Sequence, residues 1–377
     1  MQTIPWEHYP QVVRNSATRA FIEELAQVHK SPSTLDNYSR DLEDFLQAVS
    51  ETPFSDVLES DETFIARYVD GLWSRPARRG SGQTSSRDKI TYVTGSKLSL
   101  NTIRRRVSTI RVFFDWCIRT RLRCDQLNPV PKGVRGKARG LIGYAPSAPW
   151  IPSESQFADL LLYVFASMSL RNQALILVLY DGALRREEVT FLRKDHIDER
   201  THTIKIPNAL TKNHMQGRIV LSNTTWKILQ DYLQQDRARL IKAYGAEDAG
   251  PLFLSESNHN AGQPISKWSV TKIFDEIRDA LGLPQLTPHK LRHLMLTHLM
   301  DHGLDLYEVS LYARHRSTAS TEIYLHIADA KLASPREPHP RAAMETLSLS
   351  FQRAREAGGG SRCQQLAVWL KPSRKSH

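Results

Sequence analysis

The chain has 377 residues, of which 40% are hydrophobic, so it can build two or three domains with hydrophobic cores, and wholesale disorder is excluded. Its formal net charge of +11 favours a polyanionic partner, nucleic acid ahead of a membrane surface. The three cysteines form no C-x-x-C pair, and no apolar run is long enough for a signal core or a membrane span. These features exclude a disulfide framework, a zinc ribbon and a membrane protein, and predict a soluble, cytoplasmic one.

Residues 16–130 are predicted to form a helical domain. The stretches "ATRAFIEELAQVH" and "SPSTLDNYSRDLEDFLQAV" have apolar residues at helical spacing, and Ser31 or Ser33 can cap the second helix. A third helix, "SLNTIRRRVSTIRVFFDWCIRTRL", has one apolar face, formed by Ile103, Val107, Ile110, Phe113, Phe114 and Cys117. The arginines at 104, 105, 106 and 111 fit either a solvated face or a face that follows a phosphate backbone.

Two basic segments interrupt the helical pattern. Residues 75–97 contain six cations and one acid among many Gly, Ser and Thr residues, which predicts a flexible basic loop rather than a folded element. Residues 131–150 belong to a second basic stretch, rich in Pro and Gly, that is typical of an interdomain linker.

A second domain is predicted over residues 151–328, with a tail at 329–377. Apolar helices dominate it, but Ile204 and Ile206 alternate with polar neighbours before a turn-like segment, and Ile219 and Leu221 alternate after it. This pattern predicts a β-hairpin with Lys212 near its tip.

The short stretch "HKLRH" in this domain has two chemical interpretations. His289 and His293, at i and i+4, have the spacing of zinc ligands in H-E-x-x-H, although the glutamate and an obvious third ligand are missing. Alternatively, His289 and Arg292 share a helix face and hold an anion. We favour the anion site and expect no metal.

Four motifs in order make this chain resemble the tyrosine recombinase (phage integrase) family. They are "LYDGALRREEVTFLRKDHID", the hairpin lysine, "TPHKLRH" and "YARHRSTASTEIYLHI", and the helical region upstream resembles the core-binding domain of that family. The resemblance covers roughly residues 16–328. The catalytic residues that it implies are Arg185, Lys212, His289, Arg292, His315 and the nucleophile Tyr324.

Three departures from the family pattern stand out. The usual T-G-L-R is Gly182-Ala183-Leu184-Arg185, and the usual glycine before the second histidine is Arg314. The hairpin also lacks the common G-K-G pattern, which leaves Lys205 as a rival to Lys212.

The resemblance implies a mainly α fold, with a helical core-binding domain and a mostly helical α+β catalytic domain that contains a small antiparallel sheet. It also implies chemistry without ATP or metal. Two arginines hold the non-bridging phosphate oxygens, a tyrosine attacks while a histidine takes its proton, and a lysine protonates the departing 5′-oxygen.

The expected partner is double-stranded DNA at specific recombination sites, bound by a homotetramer, with possible accessory DNA-bending factors and nucleoid association. A mobile-element integrase or transposase fits the inserted loop and the long tail better than an Xer-type resolvase. The other rivals are a type IB topoisomerase and a DNA-binding protein that has lost catalysis.

Overall fold

The computed structural model divides the chain into two compact units, Met1–Pro146 and Ser147–His377. It describes residues 6–52, 56–80, 90–131, 150–207, 217–245, 248, 250–315 and 321, with the backbone alone at 77–80 and 90–96. The predicted linker at 131–150 and tail at 329–377 therefore lie almost entirely outside the described residues. None of the helices in the described part is long and apolar enough to cross a membrane.

The first unit is a helical assembly with one short β-ribbon. Its described elements are α1 (Pro10–Arg14), α2 (Ser16–Gln27), α3 (Pro32–Ser50), α4 (Glu62–Ser74), β1 (Pro76–Gly80), β2 (Ile90–Lys97) and α5 (Leu100–Arg119). Ser31 caps α3, as one of the two predicted alternatives, because its hydroxyl accepts a hydrogen bond from the Thr34 amide at 3.2 Å.

Aromatic side chains form the centre of the first unit. The rings of Phe45 on α3, Phe114 on α5 and Tyr68 on α4 are in edge contact. Of the predicted apolar face of α5, only Val107 is partly exposed and the other five residues are buried. Val12 of α1, which precedes the predicted domain start at 16, is fully buried in the same core.

The prediction of a flexible loop rather than a folded element at 75–97 is wrong for the residues of β1 and β2. Strands β1 and β2 pair antiparallel, with Arg78 opposite Tyr92 and Gly80 opposite Ile90. The run "ITYVT" is rich in β-branched and aromatic residues, and this local preference for extended backbone outweighs the Gly and Ser composition of the segment as a whole.

The arginines of α5 are largely engaged within the first unit. Asp44 of α3 receives hydrogen bonds on one carboxylate oxygen from Arg106 (2.6 Å), Arg75 (2.8 Å) and the Tyr68 hydroxyl (2.7 Å). Arg105 forms an ion pair with the fully buried Asp41. Arg105 and Arg106 thus have carboxylate partners within the fold, although the side chain of Arg105 remains 38% exposed.

The second unit is a mostly helical domain around one small sheet. Its described helices are α6 (Glu154–Ser167), α7 (Leu170–Asp181), α8 (Arg186–Thr190), α9 (Asn223–Tyr232), α10 (Ala238–Tyr244), α11 (Lys267–Leu281), α12 (Pro288–Asp301) and α13 (Leu306–Tyr312). A π-helical turn at Leu233–Arg237 joins α9 to α10. Every residue of α7 except Leu170 and Asn172 is buried, which makes it the central helix of this core.

The sheet of the second unit contains β3 (Ile197–Asp198), β4 (Thr203–Ile206) and β5 (Gly217–Val220) in the order β3-β4-β5. All pairings are antiparallel, and Ile204 lies opposite Ile219, both fully buried. The predicted hairpin and the predicted mainly α fold with a small antiparallel sheet are both confirmed. The hairpin tip at 208–216, with Lys212, lies outside the described residues.

We predict that Asp44→Asn lowers the free energy of unfolding by about 2–4 kcal/mol, because it leaves the half-buried guanidinium of Arg106 without its counter-charge. The matched control is Glu23→Gln, which removes the carboxylate from the exposed pair of Arg19 and Glu23 and should cost less than about 0.5 kcal/mol. Urea unfolding of the purified chain measures both. Equal losses in the two variants would contradict a structural role for Asp44.

Candidate active site

Arg185 follows the turn that ends the central helix α7. In this turn Ala183 adopts φ +42°, a left-handed conformation that is unusual for a residue with a Cβ. Arg185 then caps the N-terminus of α8, where the Glu188 carboxylate accepts bonds from the Arg185 amide (3.0 Å) and from its guanidinium (2.6 Å). The guanidinium remains partly exposed, so it can reach a ligand.

Arg292 lies in the second turn of α12, and its side chain is almost fully buried. Its guanidinium donates to the carbonyl oxygens of Ala183 and Ala313, and it lies 3.9 Å from the Glu188 carboxylate. These partners come from the turn before α8 and from the end of α13. Arg292 therefore holds together the two segments that carry Arg185 and His315.

His315 is oriented by bonds to both ring nitrogens. Arg292 is only a donor, so Nε2 of His315 accepts this 3.1 Å bond and Nδ1 carries the hydrogen, which it donates to the Thr321 hydroxyl at 2.9 Å. Burial, together with the positive charges of Arg292, Arg185 and Arg314, lowers the pKa of His315 to about 4. The imidazole is therefore neutral near pH 7, and Nε2, whose lone pair accepts the bond from Arg292, is the basic position of the ring.

Glu188 is the acid that gathers the arginines of the site. It is 2% exposed, and its carboxylate bonds Arg185 and Arg314 and lies within ion-pair distance of Arg292. Burial acts to raise the pKa of Glu188, but the charges of Arg314 and Arg292 outweigh burial and hold it below its usual range. Three guanidinium groups share one negative charge, so the cluster keeps a positive excess for an anion.

Arg314 belongs to this cluster, although the sequence identified it only as a departure from the usual glycine. It is 1% exposed and adopts φ +56°. The sequence did contain one sign of its special role. Arg314 stands where the family motif usually has glycine, and such a position often requires a left-handed backbone.

His289 and His293 stand one turn apart on α12 with their rings in edge contact, the centroids 4.4 Å apart. Burial lowers the pKa of His289, and the charges of Arg292 and Arg185 lower it further. Burial likewise lowers the pKa of His293 to about 3. Among the described residues no group of three His, Cys, Asp or Glu side chains is arranged to hold a metal ion.

The structure thus brings together Arg185, His289, Arg292 and His315. It joins to them Glu188, which stands at the usual acidic position of the first arginine motif, and adds Arg314. Lys212 and Tyr324 fall outside the described residues. The rival Lys205 is exposed on β4, opposite Arg218. A cationic cluster beside neutral imidazoles can bind a phosphate and accept a proton from a group that attacks it.

Two family models match the chain. The model described as the phage integrase family matches residues 153–331, and the one described as the N-terminal SAM-like domain of phage integrases matches residues 19–121. Together they account for more than half of the chain and for most of the residues described in both units.

Proteins similar to this chain include the tyrosine recombinase XerC of Halalkalibacterium halodurans, 26% identical over 83% of this chain and 93% of the relative. XerC of Escherichia coli O127:H6 is 29% identical over 83% of this chain and 92% of the relative.

Two solved structures are also similar to this chain. A XerH site-specific recombinase in a post-cleavage complex is 18% identical over 80% of this chain and 78% of that chain, with a TM-score of 0.59. A Tn1549 transposon integrase with transposon right end DNA is 14% identical over 86% and 97%, also with a TM-score of 0.59. At these identities the structural likeness concerns the fold.

We predict that protonation of the partly buried His293 destabilises the chain as the pH falls. The ordinary pKa of histidine is about 6.5, and the folded pKa of His293 lies far lower, so between these values the unfolded chain binds the extra proton. Stability from this group is complete above about pH 6.5 and is lost as the pH falls. His293→Gln should reduce proton uptake on unfolding near pH 5 by up to about one proton.

The urea midpoint between pH 7.5 and 5 measures this uptake, and the His293→Gln slope should be the flatter one. His259→Gln is the control, because the His259 side chain is exposed. A slope for His293→Gln equal to that of the parent chain would contradict a neutral His293 with a lowered pKa.

Proposed function

The chain belongs to the tyrosine recombinase (phage integrase) family, and from this membership we propose how its residues share the work of cutting and rejoining DNA. It is a tyrosine-type site-specific DNA recombinase that acts through a 3′-phosphotyrosyl intermediate. In the proposed assignment Arg185 and Arg292 hold the scissile phosphate, assisted by His289. His315 takes the proton of the nucleophile Tyr324, and Lys212 supplies a proton to the leaving group.

One observation carries this assignment. Arg185, Arg292 and His315 come from three separate stretches of sequence; the two arginines meet at the buried carboxylate of Glu188, and His315 is bonded to Arg292. Ion pairs also bury arginines elsewhere in this chain, but here a neutral imidazole with a basic Nε2 lies against the buried Arg292 and accompanies the partly exposed guanidinium of Arg185. That combination is what attack on a phosphodiester requires.

The reaction is a pair of transesterifications. The Tyr324 oxygen forms a bond to phosphorus as its proton passes to Nε2 of His315, whose lone pair is released when the Arg292 guanidinium turns its N–H from Nε2 to the phosphate. The bond from phosphorus to the 5′-oxygen breaks as that oxygen receives a proton from Lys212. Attack by a 5′-hydroxyl on the phosphotyrosine reverses these steps on a new strand. The covalent intermediate conserves the bond energy, so the strands are rejoined without an energy-supplying co-substrate.

The proposed biological role is integration, excision or transposition of a mobile element by a homotetramer on two DNA sites, with accessory DNA-bending proteins and nucleoid association. The segment at 75–97 and the long stretch after Tyr324 support this role. An Xer-type resolvase is the second candidate, favoured by the XerC relatives. Sequencing the DNA beside the gene distinguishes them, because attachment-type or inverted repeats identify a mobile element.

We predict that Tyr324→Phe abolishes cleavage of a nicked suicide duplex and leaves binding to that duplex within about twofold, because only the nucleophilic oxygen is removed. The parent chain should form a covalent adduct that resists denaturant, and peptide mapping should locate it at Tyr324. Tyr312→Phe is the control; its phenol donates to the backbone oxygen of Asp181 within the domain. An adduct on another tyrosine would refute the nucleophile, and no adduct would favour a DNA-binding protein without catalysis.

We predict that Lys212→Ala slows cleavage of ordinary DNA by about 10²–10⁴, the usual contribution of a general acid. A substrate with sulfur at the 5′-bridging position should be cut almost normally by this variant, because a thiolate leaves without a proton. Lys205→Ala is the matched control and should cut both substrates normally. Failure of sulfur to rescue Lys212→Ala, with rescue of Lys205→Ala instead, would transfer the role to Lys205.

A further inference from the structure

Two residues of the active site adopt a left-handed backbone without being glycine. Ala183, in the turn before Arg185, has φ +42°, and Arg314, directly before His315, has φ +56°. A Cβ at such positions crowds the neighbouring backbone, so the surrounding contacts must hold these conformations in place. The two strained residues are also in direct contact with each other, through the side chain of Arg314.

The Arg314 guanidinium bridges two segments, the turn before Arg185 and the end of α13. Its Nη2 donates at 3.1 Å to each of three acceptors, the carbonyl oxygens of Gly182 and Ala183 and the carboxylate of Glu188. Its Nη1 donates at 2.9 Å to the carbonyl oxygen of Tyr312. One side chain thus connects the segment before His315 with the turn before Arg185 and with the acid that orients Arg185.

The stem of Arg314 passes over the first residue of β5. A Cβ built on Gly217 would lie 2.6 Å from Cδ and 3.2 Å from Cγ of Arg314, which is closer than side chains tolerate. The backbone of Gly217 does not require glycine by its φ angle, so the close approach of Arg314 is the reason for glycine here. The side chain of Arg314 therefore occupies the space that a Cβ at position 217 would need.

We propose that Arg314 is a positioning residue of the recombinase site, which fixes Arg185 and His315 relative to each other and depends on Gly217 for the space to do so. At 1% exposure it does not touch DNA, and it acts through Glu188 and the Ala183 turn. The proposal rests on the proposed cleavage reaction, in which the placement of these groups limits the rate. Misplacement of reacting groups by about 1 Å can cost up to about 10²-fold.

The test is a double-mutant cycle on the full chain with Gly217→Ala, Arg314→Gly and both together. The readouts are single-turnover adduct formation at saturating protein, the protein concentration that half-saturates the suicide duplex, and the urea midpoint. Gly217→Ala should slow adduct formation at least about tenfold in the Arg314 chain. In the Arg314→Gly chain, where the space is open, the same change should cost less than about twofold in rate and leave the urea midpoint in place.

Arg314→Gly removes the left-handed strain and is therefore the gentlest deletion of this side chain. It should lower the saturated rate at least about tenfold while half-saturation stays within about twofold. Arg314→Lys keeps the positive charge but loses the planar guanidinium with its several N–H donors. Its rate of adduct formation should therefore fall between those of Arg314→Gly and the parent chain.

The proposal would be overturned if Gly217→Ala slowed adduct formation equally in the Arg314 and Arg314→Gly chains, or if Arg314→Gly reacted at the parent rate. It would also be overturned if the slower reaction were explained by a higher protein concentration needed to half-saturate the duplex. The adduct is counted on whichever tyrosine forms it, so failure of the Tyr324 assignment leaves this cycle intact. The urea midpoints report the pairing of Arg314 with Gly217 even if no adduct forms.

Discussion

The buried carboxylate of Glu188 is the interaction on which the catalytic domain depends. Two unit charges at about 4 Å attract by about 4 kcal/mol at an effective dielectric constant of 20, and Glu188 has three arginine partners at that distance or closer. Without this acid, two of these guanidinium groups would be buried among like charges. With it, the cluster stays assembled before any DNA arrives, so little of the site has to be rearranged when the phosphate binds.

The first unit also contains carboxylates that hold several arginines, but there the ion pairs stabilise the fold. Asp44 gathers Arg75 and Arg106, and Asp41 binds Arg105, so several of the cations behind the net charge of +11 stabilise the fold. The number of arginines and lysines in this unit therefore overstates the number of phosphate contacts that it can offer. The cations that contribute most to the salt dependence of DNA binding must be sought among those without such a carboxylate.

The spacing of apolar residues predicted most of the fold. Most of the helices and the β4-β5 hairpin bury one face, and the residues of that face recur at regular intervals in the sequence. The prediction failed at 75–97, where composition was averaged over a segment whose second half is a strand former. Motif order predicted Arg185, Arg292 and His315, which the structure assembles. It missed Arg314, because the contact of its side chain with the Ala183 turn joins residues more than a hundred positions apart, and no local pattern encodes such a contact.

The arginines that hold an anion also set the strength of the base beside them. Burial and the charges of Arg292, Arg185 and Arg314 lower the pKa of His315 and so keep the imidazole neutral, which preserves the proposed proton acceptor. A phosphodiester bound between Arg185 and Arg292 brings a negative charge that offsets theirs, and the proton affinity of the imidazole rises. In the proposed reaction the base therefore becomes stronger when the phosphate is in place, which favours proton transfer from the nucleophile at that stage. Under this proposal binding and activation are coupled through one electrostatic cluster.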